Sequence, residues 1–416
     1  MACGGTSATP DAGGDAMPST VDGSADGSAD VALPIDAGGD AVGYPAFPAS
    51  GMPQVINNGG AVLSSPTIVT VTWTADPNEA AYEALGDAIG TSAYWSATTS
   101  EYGVGTATSG STNHVEITTT PQETMADTAL ATFIGDQVNA APGSGWPVNT
   151  PETVYVVYIP EATELTSGGK NACNVEEGYH DEIFGGATSH IVFAVIVEGC
   201  RGTQDVVEFS TETASHEMVE SATDPHVESD LAWAGFDENH WSWELWQAKQ
   251  DELADACEYF PDSFYSEPTL SGDWLQRSWS NAMASAGHNP CVPAAAGPYF
   301  NATPLAPDAV MVTSGMQSIT TKGYSIPVGM TRTIQVGLYS DAPIAPWSVS
   351  VVEGDGFTTP NTPHLTVVAQ QSAGGNGDVI DVAITTLSTK ASGVLVTVLS
   401  TFGPLTHYMP LVVATE

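Results

Sequence analysis

The sequence predicts a layered α/β domain, with a mixed sheet and a motif-bearing helix, followed by an all-β sandwich. Strand-like and helical segments alternate between residues 67 and 224, the pattern of a sheet covered by helices. One of those helices gathers its charged side chains on a single arc. Beyond residue 298 only short strand-like segments remain, separated by Gly, Asn and Pro turns. A chain of 416 residues is long enough for two such domains plus a tail. The expected division is a tether over 1–53, the α/β domain over 54–295 and the sandwich over 296–416.

The tether is rich in Gly, Ala, Ser, Asp and Pro and has almost no aromatics, so it has little to bury. Order is expected from about Val55. Thr67–Trp73 is β-branched and reads as a strand. Asp76-Pro77 then opens a helical pattern through Tyr82, Leu85, Ile89 and Trp95, with Pro77 in the favoured first turn. A second helix fits Pro121–Asn139, with Met125, Leu130, Phe133, Ile134 and Val138 inward. Val154–Ile159 and Ile191–Val197 are near-continuous apolar runs, which suit strands covered on both faces. Residues 226–295 hold six tryptophans and many carboxylates. Within them, Asp230–Lys249 carries Trp233, Trp241, Trp243 and Trp246, either as a lid or aromatic wall or as a loop pinned by buried indoles. After Pro293–Pro298, the runs Thr333–Leu338, Trp347–Val351, Val379–Ile384 and Gly393–Leu399 predict an antiparallel sandwich of the immunoglobulin-like kind.

The segment Thr211–Pro225 carries the chemistry. At about 100° per residue, His216, Glu217, Glu220 and Asp224 fall within one arc, while Ala214, Met218, Val219 and Ala222 take the other side. Pro225 cannot continue the hydrogen-bond ladder and stops the helix. A His with a Glu beside it and a second ligand four residues on is the geometry of a zinc-hydrolase helix, here with Glu220 where such helices carry a second His. His216 and Glu220 would hold the ion, and Glu217 would take a proton from water. A third ligand is expected from Glu252, Asp255 or His180, with the Asp237–His240 segment a further source and Asp224 and Tyr179 in support. His226 reads as exposed and idle. The histidines favour zinc; an all-oxygen set from the same carboxylates would suit calcium. Ser215 and His216 point about 100° apart on a helix and make no catalytic pair.

Seven Lys and Arg stand against 49 Asp and Glu, a formal net charge of -42. Such a chain repels phosphates, so nucleic acid and anionic membrane surfaces are not expected partners. No apolar run is long enough to span a bilayer. Cys3 lies in Met-Ala-Cys-Gly-Gly, the context that follows a bacterial lipoprotein signal peptide, so a lipid on Cys3 is the one membrane link expected. Cys173, Cys200, Cys257 and Cys291 remain, an even set suited to two disulfides in an oxidising compartment.

Ala214–Pro225 resembles the Ala-Ser-His-Glu-Leu-Ala-Glu-x-x-Thr-Asp-Pro signature of the EXORDIUM-like (phosphate-induced) family and its bacterial secreted relatives. Cys173 with Gly178–His180 is similar to that family's Cys-x-Tyr-His segment, with an insertion between. Glu252–Cys257 is similar to its Glu-Ile-Ala-Asp-x-Cys, and Leu275–Asn281 leading to Cys291 is similar to its Trp-Ser-Asn…Cys. The resemblance covers about residues 54–293. It implies that Cys173 pairs with Cys200 and Cys257 with Cys291, each bond worth about 3–4 kcal/mol through loop closure. It also implies that His216, Glu217, Glu220, Asp224, Glu252 and Asp255 act as a group, and carries no established reaction. The expectation is a zincin-like α/β domain in a secreted or surface-anchored zinc metallopeptidase acting on a peptide or protein at the cell surface or outside the cell. The alternative is a non-enzymatic calcium-binding or adhesive surface protein.

Overall fold

Near-continuous apolar runs need cover on both faces, and the structure supplies it. The computed structural model describes residues 43–74, 76–184, 190–247 and 252–415; most of the expected tether, with Cys3, lies outside them. Strands β1 (Thr67–Trp73), β2 (His114–Ile117), β3 (Thr153–Ile159), β4 (Gly178–Phe184) and β5 (His190–Val197) form one sheet in the order β2-β1-β3-β5-β4. Its pairings are parallel except for β4, which runs antiparallel to β5 at the edge. Val154, Val156 and Tyr158 share a core with helices α1 (Glu79–Ile89), α2 (Ala93–Thr99) and α4 (Val206–Thr223). Tyr155, Val157 and Ile159 pack on the opposite face with α3 (Asp127–Asn139).

The single helix expected from Asp76 to Trp95 is two, α1 and α2. At the break, a Cβ on Gly90 would sit 2.5 Å from the Ala107 carbonyl oxygen, and Ser92 caps α2 by accepting from the Trp95 N–H. The helix expected from Pro121 starts six residues later, because Thr124–Ala126 is a strand paired with Glu164–Ser167.

Residues beyond 298 form two sheets of four and six strands, a multi-strand β-sandwich, and leave the chain mostly β with few helices. Its strands pair antiparallel apart from a short parallel contact of Tyr324 and Ser325 with the last strand. One cluster of buried residues runs from Ala49 to Val413, so sheet and sandwich share a core. Segment 43–53, placed in the tether by its composition, is part of that assembly. The Phe47 ring lies where a Cβ on Gly337 would meet it at 2.8 Å, and Asn376 bonds Gly43 and Ala46.

Among the described residues of Asp230–Lys249, the tryptophans pack between these parts. α5 (Trp241–Trp246) buries Trp243 completely, its indole N–H donating to the Gly51 carbonyl at 2.8 Å. Trp243 meets Trp246, Trp279 and Phe236, and Trp246 reaches Tyr408 and Phe357 of the sandwich. Both expected disulfides are present, Cys173–Cys200 and Cys257–Cys291. Among the described residues no helix is long and apolar enough to cross a membrane.

Removing the Trp243 ring should open a cavity at this junction. Trp243→Ala is expected to lower unfolding stability by about 3–5 kcal/mol in chemical denaturation. A loss under about 1 kcal/mol would show that the indole is not a structural anchor.

Candidate metal centre

α4 is capped by Asp205, whose carboxylate accepts from the Val207 and Glu208 N–H groups, and ends at Thr223 ahead of Pro225. With sheet and hairpin around it, three of its polar arc, His216, Glu217 and Glu220, line a cleft of about 850 Å³. Glu217 and Glu220 are only 5% and 2% exposed. Four further elements bring polar groups to the same place. β4 supplies His180, the turn before α6 (Asp255–Glu258) supplies Glu252, α6 itself supplies Asp255, and the hairpin of β6 (Phe264–Glu267) and β7 (Asp273–Gln276) supplies Gln276.

Glu220 joins both histidines to the turn before α6. Its Oε1 accepts from the Ala254 and Asp255 N–H groups at 2.9 and 3.1 Å. Its Oε2 lies 2.8 Å from His216 Nε2 and 3.9 Å from His180 Nδ1. Asp255 Oδ1 is 3.5 Å from His216 Nε2, and Glu217 Oε2 is 3.5 Å from His180 Nδ1. Glu252 Oε1 stands 3.4 Å from His180 Nε2, which also faces the Asp224 carbonyl at 3.2 Å. Two triads with ligand atoms within 4.8 Å of one another result, His216–Glu220–Asp255 and His180–Glu217–Glu220.

Gln276 fixes which imidazole nitrogen of His216 is available. Its amide nitrogen donates to the Ala254 carbonyl at 2.8 Å, which leaves Oε1 to accept from His216 Nδ1 at 2.9 Å. His216 Nε2 is thereby turned to the carboxylates, the arrangement of a metal-ligating histidine with an outer hydrogen-bond partner. The Gln276 backbone N–H is held in turn by Ser215 Oγ at 2.9 Å. No spacing rule points to Gln276, whose partners Ala254 and His216 lie on other segments.

Electrostatically the cluster is short of positive charge. Burial alone would lower both histidines, but Glu252, then Glu217 and Glu220, raise His180 to about 10. Glu220, then Glu217 and Asp255, raise His216 well above its ordinary value against the same burial. Burial opposes ionisation of Glu220 as well, yet His216 and His180 hold it below the usual carboxylate range. Glu252 and Asp255 are pushed well up by burial and by neighbouring carboxylates. Four carboxylates against two imidazoles is a nitrogen-and-oxygen donor set that a divalent cation would neutralise.

The remaining expected residues have other partners. Asp224 follows the last turn of α4, where its Oδ1 accepts from the Ala232 N–H at 2.7 Å, and its Oδ2 is buried with no hydrogen-bond partner among the described residues. Tyr179 lines the cleft, but its ring meets Phe193 edge-on. Asp237 and His240 bind each other, with Gln54 and Ser50, and do not line the cleft. His226 is not idle: its Nδ1 is 3.1 Å from Glu182 Oε2.

No family model matches this chain, and no curated protein matches it. Two solved structures are similar over 29% of the chain: the titin M3 domain, at 11% identity over 96% of that chain with a TM-score of 0.17, and a chimeric titin Z1Z2 functionalized with a KLER exogenous peptide from decorin, at 12% identity over 97% of that chain with a TM-score of 0.18. Scores this low carry no argument about the chain.

Two outcomes test the centre. His216 holds its proton tightly, and that proton must leave before Nε2 can bind an ion. Zinc uptake at pH 7 should therefore release protons and tighten as pH rises, which calorimetry in buffers of different ionisation enthalpy measures; uptake without proton release would contradict it. Gln276→Leu should weaken zinc binding about 10- to 100-fold while the protein stays folded, and an unchanged affinity would remove Gln276 from the centre.

Proposed function

We propose that this chain is a secreted or surface-anchored metal-dependent hydrolase, best read as a zinc metallopeptidase, with residues 54–295 as a zincin-like domain and the sandwich as an immunoglobulin-like accessory module. The observation that carries the reading is the convergence of His216, Glu220 and Asp255 beside Glu217 in one cleft. Of the two triads, only this one completes a three-ligand set with Glu217 outside it as a base, paired with His180. The two disulfides favour an oxidising compartment. The resemblance of Ala214–Pro225 and its companion segments to EXORDIUM-like proteins supports grouping these residues and rests on motifs alone.

In this reading His216 Nε2, Glu220 Oε2 and Asp255 would hold zinc, and the ion would supply Lewis acidity toward a water. Glu217 accepts the proton of the attacking water at its carboxylate and returns it to the leaving amine. His180, raised by the carboxylates around it, faces Glu217 at 3.5 Å and would orient that carboxylate. Glu177, Glu208 and Glu258 line the cleft with Phe264 and Trp274, while burial pushes Glu176 and Glu212 up to about 7, so a peptide with basic and apolar side chains is the favoured substrate.

Glu217→Gln should retain zinc at the level of the unaltered protein and lose cleavage of fluorescein-labelled casein by about 100-fold or more. Protein purified without added metal that contains no stoichiometric zinc, or only calcium, together with a Glu217→Gln variant indistinguishable from its parent, would favour the adhesive calcium-binding alternative.

A further inference from the structure

We propose a second divalent-metal site, formed by Glu182, His190 and His226, none of which lines the cleft. Three chain segments meet there. Glu182 lies on β4 two residues beyond His180, so both side chains lie on one face of the strand. His190 opens β5, and His226 follows α4 in the turn after Pro225. In the sheet register Glu182 pairs with Val192, which makes His190 its diagonal cross-strand neighbour.

The geometry is that of a ligand set. The Glu182 side chain is fully buried. Its Oε1 is anchored by the Ser229 N–H at 2.9 Å, while its Oε2 stands 2.6 Å from His190 Nδ1 and 3.1 Å from His226 Nδ1. The two imidazole rings are tilted by 53° at 4.8 Å between centroids, so they do not stack but turn their Nδ1 atoms to a common point. All three ligand atoms lie within 4.8 Å of one another. Two imidazole nitrogens and one carboxylate oxygen suit zinc or a similar transition ion with one position left open. The histidine side chains are 31% and 17% exposed, so an ion reaches the open side from solvent, and the strongly acidic chain draws cations toward it. The Ser229 N–H on the far oxygen of Glu182 acts as the outer partner that orients a ligating carboxylate.

The role of this ion is structural. It clasps the turn after α4 to the β4–β5 pair and so fixes both Asp224, two residues before His226, and His180, two residues before Glu182. The site does not depend on the hydrolase reading, since it shares no ligand with the cleft.

The test is a titration of the full chain, stripped with chelator, with Zn²⁺ by elemental analysis and Co²⁺ by visible absorption. The unaltered protein should bind two ions per chain. His190→Ala/His226→Ala should bind one, in the cleft, and Glu220→Gln/Asp255→Asn should bind one, at this site. His190→Gln, altered at the exposed rim, should stay folded and weaken one site about 10- to 100-fold in competition with a chromophoric chelator. In the unaltered protein the His190 and His226 ring resonances should shift on adding Zn²⁺. Wild-type stoichiometry and affinity in both histidine variants, or unmoved resonances, would leave a hydrogen-bonded Glu–His pair and overturn the site. Failure of the hydrolase reading looks different: one ion per chain, lost in the double histidine variant and kept in Glu220→Gln/Asp255→Asn.

Discussion

A buried carboxylate must have partners, and Glu220 takes its partners from helix α4, strand β4 and the turn at 252–255. One oxygen bonds the backbone of Ala254 and Asp255, and the other sits between His216 and His180. An isolated ionised carboxylate at such a depth would cost several kcal/mol, so helix α4, strand β4 and the turn at 252–255 are tied to one another by a single side chain. The Cys257–Cys291 disulfide holds that turn two residues beyond Asp255, and Gln276 braces it through the Ala254 carbonyl. The cluster is therefore preorganised by its second layer of contacts, which is what a metal centre needs.

The scaffold makes this layer rigid. α4 is buried on most of its circumference, and the hairpin that carries Gln276 packs along it. Tyr94 reinforces the contact by donating to the Gln276 carbonyl from α2. The aromatic junction of Trp243, Trp246, Trp279 and Phe260 lies behind α6 and extends into the sandwich through Tyr408. The sandwich thus helps hold the loop-rich part of the chain that delivers Glu252 and Asp255.

What the sequence made legible was local. The 3.6-residue period of α4, the apolar runs of β1, β3 and β5, and the strand spacing of the sandwich are all patterns within one segment. Helix breaks were missed where tertiary contact decides, as at Gly90 against Ala107. Segment 43–53 was missed because its few anchors, Phe47 above all, are outweighed by a tether-like composition. The Asp230–Lys249 stretch admits two readings, since buried and ligand-facing indoles look alike until neighbours are known. Gln276 and the Glu182–His190–His226 group carry no spacing signal, because their partners lie on different segments: His216 is 60 residues from Gln276, and Glu182 meets His226 across 44. Which of Glu252, Asp255 and His180 stands near His216 and Glu220 is likewise set by distances between segments.

Anomalous diffraction at the zinc edge, on crystals of the full chain grown with Zn²⁺, examines the central claim most directly. The account expects a peak bounded by His216 Nε2, Glu220 Oε2 and Asp255, with the His216–Glu220 hydrogen bond replaced by two metal bonds. A cleft without a peak, with His216 Nε2 still donating to Glu220 under saturating Zn²⁺, would contradict it and reduce the cluster to a buried ion-pair network.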